Sequence, residues 1–269
     1  MTKTRWQSDF FFQYPRNFIA TTQGDVEMPI MYYDDSVTMA LFRVDYDKVQ
    51  ALVAEQGLEA VRIFGGKALV GLAFYEYRET SIGDYNEVGV AVGVVPNGTQ
   101  VPKFPLLSTL NSLDKAPVGF YILDLPVTTP AACAAGREIW GLPKFVTPIS
   151  FSLDGHQFSG AVADPATGAD MLRLSGRTGP GIPGPLLDIV LYSRHNGVLL
   201  RTLVNTRGGA RTCLPGSIQA SVSNSMHPMA QRLHALGLDN AKPFLVFHSH
   251  ALQLRLNAGA VLPGPAPTL

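Results

Sequence analysis

The stretch GREIWGLPKF, residues 136–145, contains a helix end, a proline turn and a lone lysine within ten positions. Upstream, Thr129 is a suitable N-cap and the proline after it fits the first turn of a helix. Gly141 is a typical helix stop, and Pro143 moves the residue before it out of the helical region. The pattern therefore predicts a helix over 129–141, with Lys144 at its exit and a strand close behind.

Strand patterns surround this segment on both sides. β-rich, alternating or continuously apolar runs occur at 37–44, 88–95, 118–125, 149–153, 217–223 and 245–256. Only two further helices are predicted, over 45–57 and 224–237. Strands outnumber helices and show no βαβ alternation, which favours an α+β fold that is mostly antiparallel β, with a barrel as one arrangement.

The composition limits the classes of partner. Hydrophobic residues make up 46% of the 269 residues and charged residues only 16%, and both Lys+Arg and Asp+Glu number 21. A zero net charge without a basic run argues against nucleic acid as a partner. So little charge also suggests that part of the surface is covered by subunits, and we expect a homo-oligomer. We expect one domain over 1–262 and a disordered tail over 263–269.

The cellular compartment is predicted from the signal-peptide, membrane-span and cysteine patterns of the sequence. The N-terminal apolar run is too short for a signal peptide, and no apolar stretch reaches the length of a membrane span. The two cysteines, Cys133 and Cys213, form no CxxC pair. These features predict a cytoplasmic protein without a membrane partner.

Lys144 is the residue whose surroundings most suggest chemistry, because Trp140, Leu142 and Phe145 around it are apolar. A lysine amine is nucleophilic only when neutral, and apolar burial can lower the pKa of a lysine by roughly 3–5 units. A neutral amine can attack a ketone to give a Schiff base, whose iminium stabilises a carbanion on the next carbon. From these residues alone the commoner arrangement is a stem along apolar neighbours with the ammonium in water.

Two segments resemble the acetoacetate decarboxylase family. GREIWGLPKF is similar to the family signature of Gly-Arg-Glu, a short apolar stretch and Pro-Lys. GDYNEVGVAV, residues 83–92, is similar to its Gly-x-Tyr-x-Glu segment, and the order and spacing of the two segments also match. The resemblance implies an acetoacetate-decarboxylase-like β-barrel with a few short helices, in an enzyme that is usually oligomeric and needs no cofactor.

The resemblance also implies roles for single residues. Lys144 matches the Schiff-base lysine, and Glu87 matches a pocket glutamate that moves or positions a proton; the alternative for Glu87 is a strand-end salt bridge. Arg137 matches the arginine of the Gly-Arg-Glu segment and is a candidate for binding a substrate carboxylate, with an internal ion pair as its alternative. Tyr85 is a candidate donor to a carbonyl oxygen, or a buried structural tyrosine.

Trp140 and Phe145 complete the predicted substrate-binding set as apolar pocket residues. Phe145 also marks a departure, because decarboxylases of the family carry a second lysine at this position. The family's early arginine falls near Asp35 or Ser36, and a second pocket glutamate is replaced near 70–72. These departures favour a relative with different carbon–carbon chemistry, such as aldol condensation with dehydration.

The sequence thus predicts a lysine-dependent carbon–carbon lyase that acts on a small keto acid or ketone, by decarboxylation or by aldol and dehydratase chemistry. The alternative is a non-covalent enzyme or a binding protein on the same fold that takes an apolar secondary metabolite. HSH, residues 248–250, has a spacing compatible with a metal, but no third ligand is evident in the sequence. We therefore expect two hydrogen-bonded inward histidines and no metal site.

Overall fold

The computed structural model describes Trp6, residues 8–101 and residues 117–262. The helices are α1 (Tyr46–Val53), α2 (Pro130–Trp140) and α3 (Pro228–Leu236), with short 3-10 turns at Phe10–Phe12, Ala54–Gln56 and Phe64–Gly66. The strands are β1 (Asn17–Thr21), β2 (Gly24–Met28), β3 (Ile30–Val44), β4 (Leu58–Ala60), β5 (Ala68–Thr80), β6 (Tyr85–Pro96), β7 (Gly119–Val127), β8 (Lys144–Val146), β9 (Ile149–Asp154), β10 (Gln157–Ala163), β11 (Asp170–Arg177), β12 (Gly181–Pro185), β13 (Ile189–His195), β14 (Val198–Arg207), β15 (Gly209–Cys213), β16 (Gln219–Val222), β17 (Leu245–Leu256) and β18 (Ala260–Val261).

Seven strands form a closed barrel in the order β17-β3-β5-β6-β7-β13-β14, and β14 pairs back with β17. Neighbours in the barrel are antiparallel except β7 and β13, which are parallel. Closure leaves no free edge among these strands. The predicted α+β, mostly antiparallel barrel is confirmed.

A second sheet, in the order β16-β11-β10-β9, covers one side of the barrel. Along β5 and β6 the side chains alternate between the two layers, as strand geometry requires. Leu72, Phe74 and Val90 belong to the core shared with Phe158 and Leu172 of the second sheet. The main hydrophobic core therefore lies outside the barrel wall, and the barrel interior is left for other side chains.

The predicted helix over 129–141 is confirmed as α2, with the Thr129 side chain accepting from the Ala132 N–H at 3.4 Å. The helix predicted over 224–237 starts later, at Pro228, because the His227 side chain caps the N–H of Met229. The helix predicted over 45–57 ends as an α-helix at Val53 and continues as a 3-10 turn.

All six predicted strands are present, and the strand over 245–256 has the predicted bounds. β3 starts seven residues before the predicted 37–44, and this earlier part contains register shifts near Asp34 and Asp35. The predicted disordered tail over 263–269 lies outside the described residues. None of the helices in the described ranges has the length and apolar character that a membrane crossing requires.

Candidate active site

Lys144 enters the barrel from the end of α2. The helix stops at Gly141, which has a left-handed φ of 67°, and Lys144 then opens β8 in parallel register with Leu125 of β7. Lys144 is 7% exposed, and its side chain lines a cavity inside the barrel. The sequence pattern of helix, glycine stop and proline therefore places this amine at an inner wall rather than in solvent.

The position of Gly136 against the Lys144 side chain explains why the Gly-Arg-Glu segment begins with glycine. A Cβ at this position would lie 2.4 Å from both Cδ and Cε of Lys144. Since real Cβ atoms do not approach other carbons so closely, any larger residue would displace the lysine stem or the helix. The helix backbone itself thus confines the lysine side chain.

Glu87 is the partner of the lysine. Its Oε2 lies 2.6 Å from Nζ of Lys144, and the carboxylate belongs to a residue that is only 8% exposed. The hydroxyl of Tyr77 donates to the other carboxylate oxygen at 3.3 Å. A buried pair at this distance is a charge-assisted hydrogen bond along which a proton can move.

Four tyrosines surround this pair. The Tyr85 ring centroid is 5.7 Å from the ammonium of Lys144, and the Tyr85 and Tyr32 hydroxyls share a hydrogen bond of 2.9 Å. Burial raises the pKa of Tyr32, Tyr75, Tyr77 and Tyr85 well above the usual value, and the Glu87 charge adds to this. These hydroxyls stay protonated at physiological pH and remain hydrogen-bond donors.

The cavity beside the pair has a volume of about 110 Å³ and is mostly apolar. Its lining consists of Tyr32, Met39, Gly71, Ala73, Tyr75, Tyr77, Glu87, Gly89, Ala91, Phe120, Ile122, Leu125, Leu142, Lys144, Ile189, Leu191, Val204, Leu254 and Leu256. Small residues at 71, 73, 89 and 91 on β5 and β6 create the space. Within the described residues, Lys144 is the only cationic side chain in this lining and Glu87 the only carboxylate.

Asp35 also faces the barrel interior, opposite Tyr77 in the register. It is fully buried, and neither carboxylate oxygen has a hydrogen-bond partner in the described part of the chain. Burial raises the pKa of Asp35 to about 9, an effect that the Arg78 charge opposes and the Asp34 and Glu79 charges strengthen. Asp35 does not line the cavity.

Three of the six predicted site residues lie together, namely Lys144, Glu87 and Tyr85. Arg137 is exposed on the outer side of α2 and does not line the cavity. Trp140 is 1% exposed and donates from Nε1 to the carbonyl of Asn257 at 3.2 Å, away from the cavity lining.

Phe145 also lies away from the cavity. Its ring centroid is 4.7 Å from that of His227, on the side of the second sheet, because successive strand residues face opposite ways.

The sequence reasoning missed Tyr32, Tyr75 and Tyr77. The alternating aromatic and charged letters of FYEYRE, residues 74–79, are a strand signal that would have placed Tyr75 and Tyr77 on one face. Of the positions near the predicted loss of the second pocket glutamate, Gly71 lines the cavity, while Glu76 pairs with Arg78 at 2.9 Å.

Solved structures of three proteins share this architecture. Acetoacetate decarboxylase from Legionella pneumophila aligns with a TM-score of 0.64 and 17% identity, covering 94% of this chain and 93% of its own. The enduracididine biosynthesis enzyme MppR aligns with a TM-score of 0.61 and 16% identity over 87% and 88% of the two chains. An acetoacetate decarboxylase-like enzyme from Sphingomonas wittichii RW1 aligns with a TM-score of 0.56 and 14% identity over 88% and 94%.

No curated protein sequence matches this chain. Because the solved structures are only 14–17% identical to this chain, their similarity establishes the fold alone. Family membership is established by the sequence model of the acetoacetate decarboxylase family, which matches residues 16–224. This range includes both motif segments and the greater part of the chain. The chain therefore belongs to the acetoacetate decarboxylase family.

Proposed function

We propose that this protein is a lyase that makes or breaks a carbon–carbon bond next to a ketone through a Schiff base on Lys144. The observation that carries the proposal is the buried amine of Lys144, held 2.6 Å from Glu87 at the wall of an apolar cavity. Family membership supports the general class of activity, and the geometry supplies an amine, a proton acceptor and a water-poor space.

The reaction starts with transfer of a proton from the Lys144 ammonium to Glu87. The neutral amine attacks the carbonyl carbon, one amine proton and the proton held by Glu87 pass to the carbonyl oxygen, and water leaves to give the iminium. Loss of carbon dioxide, or of an α-proton to Glu87, moves an electron pair into the iminium and gives an enamine. The enamine carbon then takes a proton or attacks an aldehyde, and water releases Lys144.

The tyrosine hydroxyls have a role in the first step. Tyr32 and Tyr75 line the cavity, and their pKa values are raised by burial, so both remain donors. A donor aimed at the carbonyl oxygen stabilises the charge that grows there when the amine attacks. This is the part that the sequence analysis assigned to Tyr85, whose hydroxyl bonds to that of Tyr32.

Aldol-type chemistry is favoured over decarboxylation of a small keto acid. In the described lining no cation other than Lys144 is available to hold a substrate carboxylate, since Arg137 is exposed elsewhere. MppR, one of the structurally similar proteins, has been solved with pyruvate and with the condensation product of pyruvate and imidazole 4-carboxaldehyde. The apolar lining fits a ketone or keto acid with a hydrocarbon chain better than a small and strongly polar keto acid.

Borohydride trapping tests the covalent step directly. The protein is incubated with acetoacetate, pyruvate and a series of alkyl methyl ketones, reduced, digested and analysed by mass spectrometry. We expect a secondary-amine adduct on Lys144 with at least one carbonyl compound, its loss in Lys144→Ala, and its retention in Lys67→Ala, which removes an exposed lysine. The proposal fails if no carbonyl compound leaves an adduct on Lys144.

The alternative is a non-covalent pocket enzyme or binding protein for an apolar metabolite, and the ion pair itself favours it. In that case the Lys144 ammonium stays paired with Glu87 and donates a hydrogen bond to the ligand. Ketones would then bind, as seen by calorimetry, yet leave no adduct after reduction. Binding without an adduct in the trapping series would thus select this alternative.

A further inference from the structure

A second cluster of chemically active side chains lies on the outer side of the barrel wall. His156 lies in the turn between β9 and β10, Cys213 ends β15, and His248 lies on β17. The nitrogen and sulfur atoms that these three side chains offer all lie within 4.8 Å of one another. None of the three lines the cavity that contains Lys144.

His248 is the buried member whose ring is not satisfied. It is 4% exposed, and its Nε2 has no hydrogen-bond partner in the described residues. A buried polar atom without a partner calls for an explanation.

The side chains of His156 and Cys213 each offer a ligand atom close to that of His248. His156 has Nδ1 in a 2.8 Å hydrogen bond with Oγ1 of Thr178, which fixes the ring, while its Nε2 makes no hydrogen bond within the described ranges. Cys213 is a free thiol that is 1% exposed. A Cβ at position 181 would lie 2.3 Å from its sulfur, so the glycine there makes room for the thiol.

We propose that His156, Cys213 and His248 bind a divalent cation of the zinc class, and that this site joins the second sheet to the barrel. Two imidazoles and one thiolate suit a borderline-soft ion, and the fourth tetrahedral position is open to water or another ligand. Zinc bond lengths put ligand atoms about 3.5 Å apart, so closure of roughly 1 Å is needed. Binding releases the thiol proton of Cys213 to solvent.

Arg211 sets the expected affinity. It lies opposite His248 in the register, and its guanidinium donates to the carbonyl of Gly181 at 2.7 Å. A fixed positive charge on the same face opposes a dication, while the thiolate offsets it. We expect binding in the micromolar range, weaker than in a zinc finger.

The sequence did not predict this site, because the alternation along the strand placed His248 and His250 on the same inward face. A register shift between Ser249 and Leu252 leaves His248 outside the barrel and turns Leu252 and Leu254 inward, and His250 is exposed. The expectation of two hydrogen-bonded inward histidines was wrong, because His250 is exposed and Nε2 of His248 has no partner within the described residues. The further candidate ligands come from the turn between β9 and β10 and from β15.

Cobalt titration tests the site with a readout independent of activity. The full-length protein, freed of metal with a chelator and kept reduced with a phosphine, is titrated with cobalt(II) chloride. We expect one cobalt per chain, visible bands of tetrahedral intensity and a thiolate-to-cobalt charge-transfer band, all displaced by zinc. Zinc is also expected to raise the Tm.

Variants assign the ligands. Cys133→Ser, which alters the other cysteine, should titrate like the wild type, whereas Cys213→Ser should lose the charge-transfer band. His156→Gln changes a half-buried residue at a hairpin turn and should weaken cobalt binding at least tenfold, even if Cys213→Ser does not fold. The proposal is overturned if the wild type gives no charge-transfer band, or if His156→Gln binds cobalt as tightly as the wild type.

Discussion

Two regions inside the same barrel hold ionisable side chains in different ways. Lys144 and Glu87 form an ion pair of 2.6 Å beside the cavity. Asp35, on the same inner face, has neither an ion-pair partner nor a hydrogen bond within the described residues and does not line the cavity. One region keeps two charges by pairing them, and the other keeps a carboxyl group in its neutral form.

The difference shows what a buried group needs in order to do chemistry. A paired amine and carboxylate can exchange a proton without leaving a net charge in the barrel, and the adjoining cavity admits a reactant. The Asp35 carboxyl has no hydrogen-bond partner among the described residues that could take its proton, and it does not line the cavity. The following predictions test this contrast, from the largest expected effect to the smallest.

Glu87→Gln removes the proton acceptor and keeps the shape of the side chain. Since positioned acid–base groups contribute about 10²–10⁴-fold to rate, we expect adduct formation on Lys144 to slow by about that factor. The measurement is the rate of borohydride trapping with the best ketone. Glu55→Gln, at an exposed position, is the matched control; equal rates in the two variants would remove Glu87 from the mechanism.

Asp35→Asn tests the neutral carboxyl through the pH dependence of stability. The pKa of Asp35 is raised to about 9 in the fold, so the unfolded chain binds fewer protons between about pH 4 and pH 9 and stability falls as pH rises. This loss is absent in Asp35→Asn. Between pH 5 and 8 the free energy of unfolding of the wild type should fall by up to about 4 kcal/mol more than that of the variant.

Urea denaturation at several pH values measures this slope. Asp154→Asn, at the exposed end of β9, should follow the wild-type curve. A wild-type curve parallel to that of Asp35→Asn would show that Asp35 is ionised in the folded protein. It would then contradict the contrast between a neutral Asp35 and the charged pair of Lys144 and Glu87.

Gly136→Ala tests the confinement of the lysine stem. The added Cβ would meet Cδ and Cε of Lys144 at 2.4 Å, and overpacking of this kind costs about 1–3 kcal/mol. We expect a lower free energy of unfolding and slower trapping. Gly209→Ala is the control because a Cβ there meets nothing within 4 Å; equal losses in both variants would contradict a specific role for Gly136.

Phe145→Leu should have the smallest effect on chemistry. The Phe145 ring packs toward His227 and the second sheet rather than the cavity, so we expect an unchanged rate of trapping. A stability loss of about 1 kcal/mol is expected from the smaller side chain. A large change in trapping rate would restore the sequence-based assignment of Phe145 to the substrate pocket.

Much of this fold can be predicted from the sequence, since the helix over 129–141 and the strand over 245–256 follow from local patterns. The pairing of Lys144 with Glu87 could be anticipated only from two motif segments, because the residues are 57 positions apart. Single-residue roles were harder to predict. Arg137 and Phe145 are in or next to the motif, yet their side chains point away from the cavity, and only the register of strands and helix decides this.

The approach of Gly136 to the lysine stem also has a consequence for conformational entropy. A lysine side chain that is free to rotate loses about 1.5–2 kcal/mol of entropy when it is fixed. Here the helix backbone and the barrel wall restrict its rotamers as soon as the chain folds. The Lys144 side chain therefore loses this conformational entropy when the protein folds and not when a substrate binds. A substrate that enters the cavity meets an amine whose position is already fixed.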